Sequence, residues 1–159
     1  MEKILELLDN NSELTSEQLS VMIDKPVADV EKAIKEYKDK NIIVANKTVI
    51  NWDKTDKEFV TALIELKVTP QRGEGFDKLA DRIYQYPEVK SLYLMAGGYD
   101  LMVIIEGKTL KKVATFVSEK LATMECVTGT ATHFVLKKYK DDSIILDEQQ
   151  KDIREVISP

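Results

Sequence analysis

Apolar residues recur at helical spacing through residues 2–41 and then give way to the two-residue alternation of strands. Ile4, Leu5, Leu7 and Leu8 form a short stripe that Asp9-Asn10-Asn11 interrupts. In LTSEQL, Thr15 is placed as an N-cap and Gln18, three residues on, completes a capping box. Leu14 and Leu19 flank that box in the manner of a hydrophobic staple. The pattern predicts a second helix from Ser16 to about Ile23, broken by Asp24-Lys25-Pro26. Pro26 suits the opening of a third helix, in which Val27, Val30, Ile34 and Tyr37 share a face and which Asn41 ends. IIVANKTVINW then reads as two short β-rich runs around Ala45-Asn46-Lys47, a small hairpin. Three short helices and a hairpin outline a winged helix-turn-helix over residues 1–52.

Residues 53–58, DKTDKE, are charged and small and read as a linker. Phe59–Val68 is strand-like, and the run from Pro70 to Gly75 is a loop. Phe76, Leu79, Ala80 and Ile83 make a helical stripe that stops at Tyr86-Pro87. Val89–Ala96 and Tyr99–Glu106 are two further strands, with Gly97-Gly98 between them expected as a two-residue turn at positive φ. Thr109 can cap a helix whose Leu110, Val113, Ala114, Val117 and Leu121 share a face, and Thr128–Lys138 is the last strand. The order β-α-β-β-α-β predicts a ferredoxin-like domain over residues 59–140, so the chain as a whole is α+β. In the third strand Leu101, Val103 and Ile105 have one parity and Met102 and Ile104 the other, so both faces are apolar. A sheet with helices on one side and an apolar second side calls for a partner, most simply another copy. Residues 141–159 form a charged tail with an apolar thread (Ile144, Ile145, Leu146, Ile153, Val156, Ile157), compatible with strand or helix.

Composition narrows the function. Hydrophobic residues at 43% and charged residues at 32% fit a globular chain and not a disordered one. The apolar runs are too short for a membrane span, and MEKILELLDN lacks a signal-peptide core, so a cytoplasmic location is expected. Cys126 is the single cysteine, which rules out an internal disulfide. His133 has no Ser, Cys or second His beside it, and Cys126 has no adjacent basic residue. No nucleophile–base pair, metal-ligand cluster or phosphate loop stands out, so neither an enzyme nor a cofactor is expected. The net charge of −5 argues against coating nucleic acid by bulk electrostatics but leaves room for a small DNA-reading surface.

The residues GGYDLMVI (97–104) and TGTATHFVLKKYK (128–140) make the chain resemble the Lrp/AsnC family of regulators. Val127, Thr132 and Leu136 approximate that family's last-strand pattern, and the resemblance runs to about residue 140. It implies a transcriptional regulator that binds double-stranded DNA and pairs sheet to sheet into homodimers, which assemble further into octamers. It also implies a small effector, an amino acid or related metabolite, bound between subunits. Gly97, Gly98, Tyr99 and Asp100 would form one wall of that site, and Thr130 and Thr132 would come from the facing strand. The chemistry suits such a ligand: glycine exposes backbone N–H groups to a carboxylate, and an aspartate can hold an ammonium group. The DNA-facing residues would be Lys25, Ala28, Asp29, Lys32 and Lys35 of the third helix with Lys47 of the wing. This surface departs from the family's pattern. No arginine precedes Arg72, and residues 26–40 balance four lysines against four acids, so arginine readout of guanine is not available there. A second reading follows from that neutrality: a ligand-sensing oligomer whose helix-turn-helix contacts protein.

Overall fold

The computed structural model describes residues 2–69 and 75–146, and these divide into two compact units, one ending at Ile50 and the other beginning at Asn51. In the first unit three helices, α1 (Glu2–Asn10), α2 (Ser16–Ile23) and α3 (Val27–Asp39), close around Ile4, Leu19, Val30 and Ala33. The capping box forms as the sequence predicts. The Thr15 hydroxyl accepts from the Gln18 N–H at 3.3 Å, and the Thr15 N–H donates to Gln18 Oε1 at 2.9 Å. Between α2 and α3 the chain turns through Asp24, which takes a left-handed conformation (φ 53°) that L-residues other than Asn and Asp seldom adopt. Ala33 is buried although the predicted stripe omits it, because the α3 face centres between Val30, Ile34 and Tyr37. Asn41 ends α3 in a left-handed conformation (φ 53°). The Asn41 and Ile42 N–H groups donate to the Lys38 and Tyr37 carbonyls at 3.0 and 2.8 Å, which makes a Schellman motif.

The hairpin expected over 42–52 does not form as a ladder. Residues 44–51 carry no strand, and Ile42 and Val44 stand 52% and 82% exposed. β-branched residues alone do not make a strand; they need neighbours to cover them and a partner to take their backbone bonds.

The second unit opens with a short 3₁₀ turn, Trp52–Lys54, and then follows the order β1 (Val60–Val68), α4 (Gly75–Ile83), β2 (Val89–Leu94), β3 (Leu101–Gly107), α5 (Leu110–Phe116), β4 (Val127–Phe134). The four strands form one antiparallel sheet in the order β2-β3-β1-β4. Ala62, Ile64, Leu66 and Val68 of β1 and Leu101, Val103 and Ile105 of β3 point to the side on which α4 and α5 supply Leu79, Ile83, Val113 and Phe116. This is the core. The opposite parity, Leu63, Glu65 and Lys67 on β1 with Met102, Ile104 and Glu106 on β3, lies on the other face.

The predicted stripe on α5 needs a correction. Leu110 is 55% exposed and Ala114 also faces solvent, whereas Phe116 is buried. Beyond Phe116 the helix widens into a π turn over Val117–Leu121, closed by the Ala122 N–H to the Val117 carbonyl at 2.8 Å. The buried residues Val113, Phe116, Val117 and Leu121 keep ordinary helical spacing, so the buried face is rotated toward Phe116 and away from Leu110 and Ala114. Phe116 uses its place to meet Tyr86 edge-on at 5.3 Å.

After β4 the chain makes a second, two-stranded hairpin, β5 (Lys140–Asp141) and β6 (Ile144–Ile145). This settles the start of the tail as strand. The loop residues 70–74 and the remainder of the tail, with Ile153, Val156 and Ile157, lie outside the described residues. No helix among the described residues is long and apolar enough to cross a membrane.

Candidate functional site

The turn between β2 and β3 is longer than the sequence suggests. The Met95 N–H donates to the Asp100 carbonyl at 2.8 Å, so residues 96–99 form the loop. Only Gly97 takes a φ (154°) that favours glycine, and Gly98 does not. The two-residue turn with both glycines at positive φ is therefore replaced by a wider loop. Both glycines are exposed, with nothing within 4 Å of where a Cβ would stand, so their backbone is open to an approaching molecule.

Tyr99 and Asp100 are half-buried at the foot of this loop. Asp100 has a structural partner that the sequence does not disclose. Its Oδ2 accepts from the Val68 N–H at 2.7 Å, while its own N–H donates to the Leu66 carbonyl at 2.9 Å. The side chain thus extends the β1–β3 ladder past the point where strand pairing stops. It caps a neighbouring strand, not its own turn.

Thr130 pairs with Leu66 and Thr132 with Ile64, on the far side of β1 from β3. Asp100 and Thr130 therefore flank the same end of β1, about two strand spacings, ~10 Å, apart. Thr130 is exposed and Thr132 is half-buried one pair further in. By register both threonines have the parity of Ile64 and Leu66, while their neighbours Ala131 and His133 have the parity of the face without helices. There His133 Nε2 lies 3.1 Å from Glu65 Oε1 on β1. That cross-strand pair went unread in the sequence, since Glu65 and His133 are 68 positions apart.

In the first unit Lys25, Ala28, Asp29, Lys32 and Lys35 are all exposed on or just before α3, and Lys47 is exposed on the segment that follows it. α3 has Pro26 at its N-cap and no side-chain cap, and the Pro26 carbonyl takes the Asp29 and Val30 N–H groups at 3.0 and 3.2 Å. Glu36 is matched by Lys40 at 4.0 Å one turn on, which leaves Lys32 and Lys35 as the cations of the central face.

A three-helix unit with a tight turn before its third helix, followed by a β-α-β-β-α-β unit with an open loop rim, defines a helix-turn-helix regulator carrying a ligand-binding domain. Comparison with known proteins gives the family. Residues 61–145 match the model of the Lrp/AsnC ligand binding domain. The HTH-type transcriptional regulator YugG of Bacillus subtilis is 46% identical over 158 residues, covering 99% of this chain and 95% of its own. The chain belongs to the Lrp/AsnC family of transcriptional regulators and is not an enzyme. Two solved structures share the fold at low identity. A transcriptional regulator of Neisseria meningitidis in complex with L-Met superposes with a TM-score of 0.70 at 22% identity, covering 87% of this chain and 89% of that one. AsnC of E. coli gives 0.65 at 16%, covering 85% and 89%.

Proposed function

We propose that this DNA-binding regulator is controlled by an amino acid bound between copies of its second unit. The unit is ferredoxin-like, and the chain pairs through the helix-free face of its sheet into dimers and larger rings. The observation that carries this reading is the rim at the end of β1. It sets two exposed glycine backbones, a half-buried carboxylate and a threonine hydroxyl around one strand end. An α-carboxylate finds backbone N–H donors at Gly97 and Gly98, and an α-ammonium finds Asp100, with Tyr99, Thr130 and Thr132 bordering them. The L-Met complex of the Neisseria regulator supports an amino acid as the class of ligand. Residues 1–52 act as the DNA-binding domain in helix-turn-helix style, with Lys25, Ala28, Asp29, Lys32, Lys35 and Lys47 on the DNA side. Residues 53–58 act as the linker, 59–140 as the sensor and 141–159 as an appended tail.

The effector shifts the balance between subunit arrangements, and so changes how the paired third helices meet DNA half-sites. A thermal-shift screen of the twenty amino acids tests the reading. An effector present at a hundred times its Kd raises stability by about 2.7 kcal/mol, enough to move the melting transition by several degrees. If no amino acid moves either the transition or the affinity for DNA, the effector reading falls.

A further inference from the structure

The segment after the unit boundary is not a slack tether. Lys54 N–H closes the 3₁₀ turn on the Asn51 carbonyl at 3.2 Å, and the Thr55 N–H and hydroxyl both reach the Trp52 carbonyl, at 2.9 and 2.8 Å. Lys57 then folds back so that its Nζ lies 4.1 Å above the centre of the Trp52 ring, and Phe59 meets that ring edge-on at 6.2 Å. The supposed linker is knitted to itself and to its flanks.

They are also tied to the far end of the unit. The Asn51 side-chain Nδ2 donates to the Leu146 carbonyl at 2.8 Å in a partly buried bond spanning 95 positions. Leu146 closes the β5–β6 hairpin, since its N–H donates to the Tyr139 carbonyl at 2.9 Å. The hairpin turns through Asp142 and Ser143, both left-handed (φ 47° and 66°), between the paired residues Asp141 and Ile144. Two consecutive residues at positive φ are what a two-residue hairpin of matching twist requires. Lys138 braces it with an ion pair to Asp141 at 3.4 Å. Upstream, residues 135–139 join the hairpin to β4, whose pairing with β1 is prolonged by the Val135 N–H to the Thr61 carbonyl at 2.9 Å.

We propose that the β5–β6 hairpin is a latch that holds the strap 51–59 closed at the start of the second unit. The latch joins an asparagine at the first position of the second unit to a short hairpin reaching back to it. It gives β4 a mechanical route to the strap, because a shift of β4 carries the hairpin and, through the Leu146 carbonyl, Asn51. That coupling, unlike the latch itself, rests on the effector being seated beside β4.

The strap contains its own probes. Trp52 is the single tryptophan of the chain, and Lys54 and Lys57 are tryptic sites that can be cut only when the strap opens. In the full-length protein, Asn51→Ala is expected to speed cleavage after Lys54 and Lys57 by roughly threefold to tenfold, the effect of losing one partly buried hydrogen bond. Trp52 becomes correspondingly easier to quench with acrylamide. Cleavage at Lys111 and Lys112 in α5 serves as the reference, so that a general loss of stability does not imitate the effect. A second variant works in the opposite direction. Asp142→Asn with Ser143→Gly supplies the residues that such a turn prefers, tightens the hairpin and slows cleavage of the strap. Equal strap cleavage in all three proteins, relative to α5, overturns the latch. For the coupling, L-leucine and L-methionine are used as probes. In Asn51→Ala each still raises the melting temperature as in wild type but no longer changes DNA affinity; an unaltered DNA response overturns the coupling. If neither probe acts on wild type, the effector reading fails for these probes, while the latch is still decided by proteolysis.

Discussion

Asp100 illustrates how one side chain can serve structure and recognition together. One carboxylate oxygen takes the Val68 N–H, a backbone donor that β1 would otherwise leave without a strand partner at its end. Asp100→Ala is therefore expected to destabilise the second unit by about 1–3 kcal/mol, because a partly buried donor loses its acceptor. Urea unfolding without any ligand measures this, and an unchanged midpoint would remove the structural role. Asp100→Asn retains an acceptor and costs less, so it is the better variant for asking whether the negative charge matters to an effector. The sequence could place Asp100 at a turn, since glycines beside Tyr-Asp between two apolar runs announce one. It could not reveal Val68 as the partner, because that bond joins residues 32 positions apart. The His133–Glu65 pair was hidden for the same reason: strand pairing, not local sequence, brings the two together.

Among the elements, α2 was the most legible, because each of its signals is local. Thr15, Gln18 and Leu19 lie within five residues, and the helix begins where they say. Glu17 adds to the same N-terminus: its carboxylate accepts from the Thr15 hydroxyl and is held below its ordinary pKa. A carboxyl with a lowered folded pKa stabilises the fold above its unfolded value, and that contribution is lost as the pH falls through the folded one. Glu17→Gln should consequently be less stable than wild type at neutral pH, with the difference vanishing in acid; thermal melts across the acid range check this. The segment after α3 was misread because its Ile and Val residues carry strand preference without a partner to pair with. The α5 stripe slipped because two faces of that helix carry apolar residues, Leu110 and Ala114 on one and Phe116 on the other, and only packing against the sheet chooses Phe116.

α3 carries the prediction for DNA. With Glu36 matched to Lys40, Lys32 and Lys35 supply the phosphate contacts of the central face. Replacing both by Glu is expected to abolish specific retention and to lower the steepness of the salt dependence by roughly 2 if each contacts one phosphate. Binding measured across a salt series decides the matter. An unchanged slope would favour the reading in which this helix contacts protein.

For the whole molecule, the exposed sheet face is the dominant feature. Met102 and Ile104 on β3 and Leu63 on β1 are only half-buried in a single chain, on a face that α4 and α5 leave uncovered. Ile104→Lys places a charge in the middle of that face and should shift the proposed dimer toward monomer, as read by sedimentation velocity. A variant that sediments like wild type would move the dimer contact elsewhere. This face was visible from the alternation of β3 alone, since a strand apolar at both parities has to be covered twice.

The strand order has one more consequence, for the manner in which the protein is made. β1 lies between β3 and β4, so Leu66 pairs with Leu101 on one side and with Thr130 on the other. A chain synthesised from its N-terminus delivers β1 long before either neighbour exists. Until they emerge, the run Ala62, Ile64, Leu66 and Val68 has no sheet to enter and depends on the ribosome or a chaperone for cover. The three helices of the first unit meet only local partners and can fold while the rest is still being translated. Birth order thus separates the two halves in time: the first unit is finished first, and the second closes only when its last strand arrives.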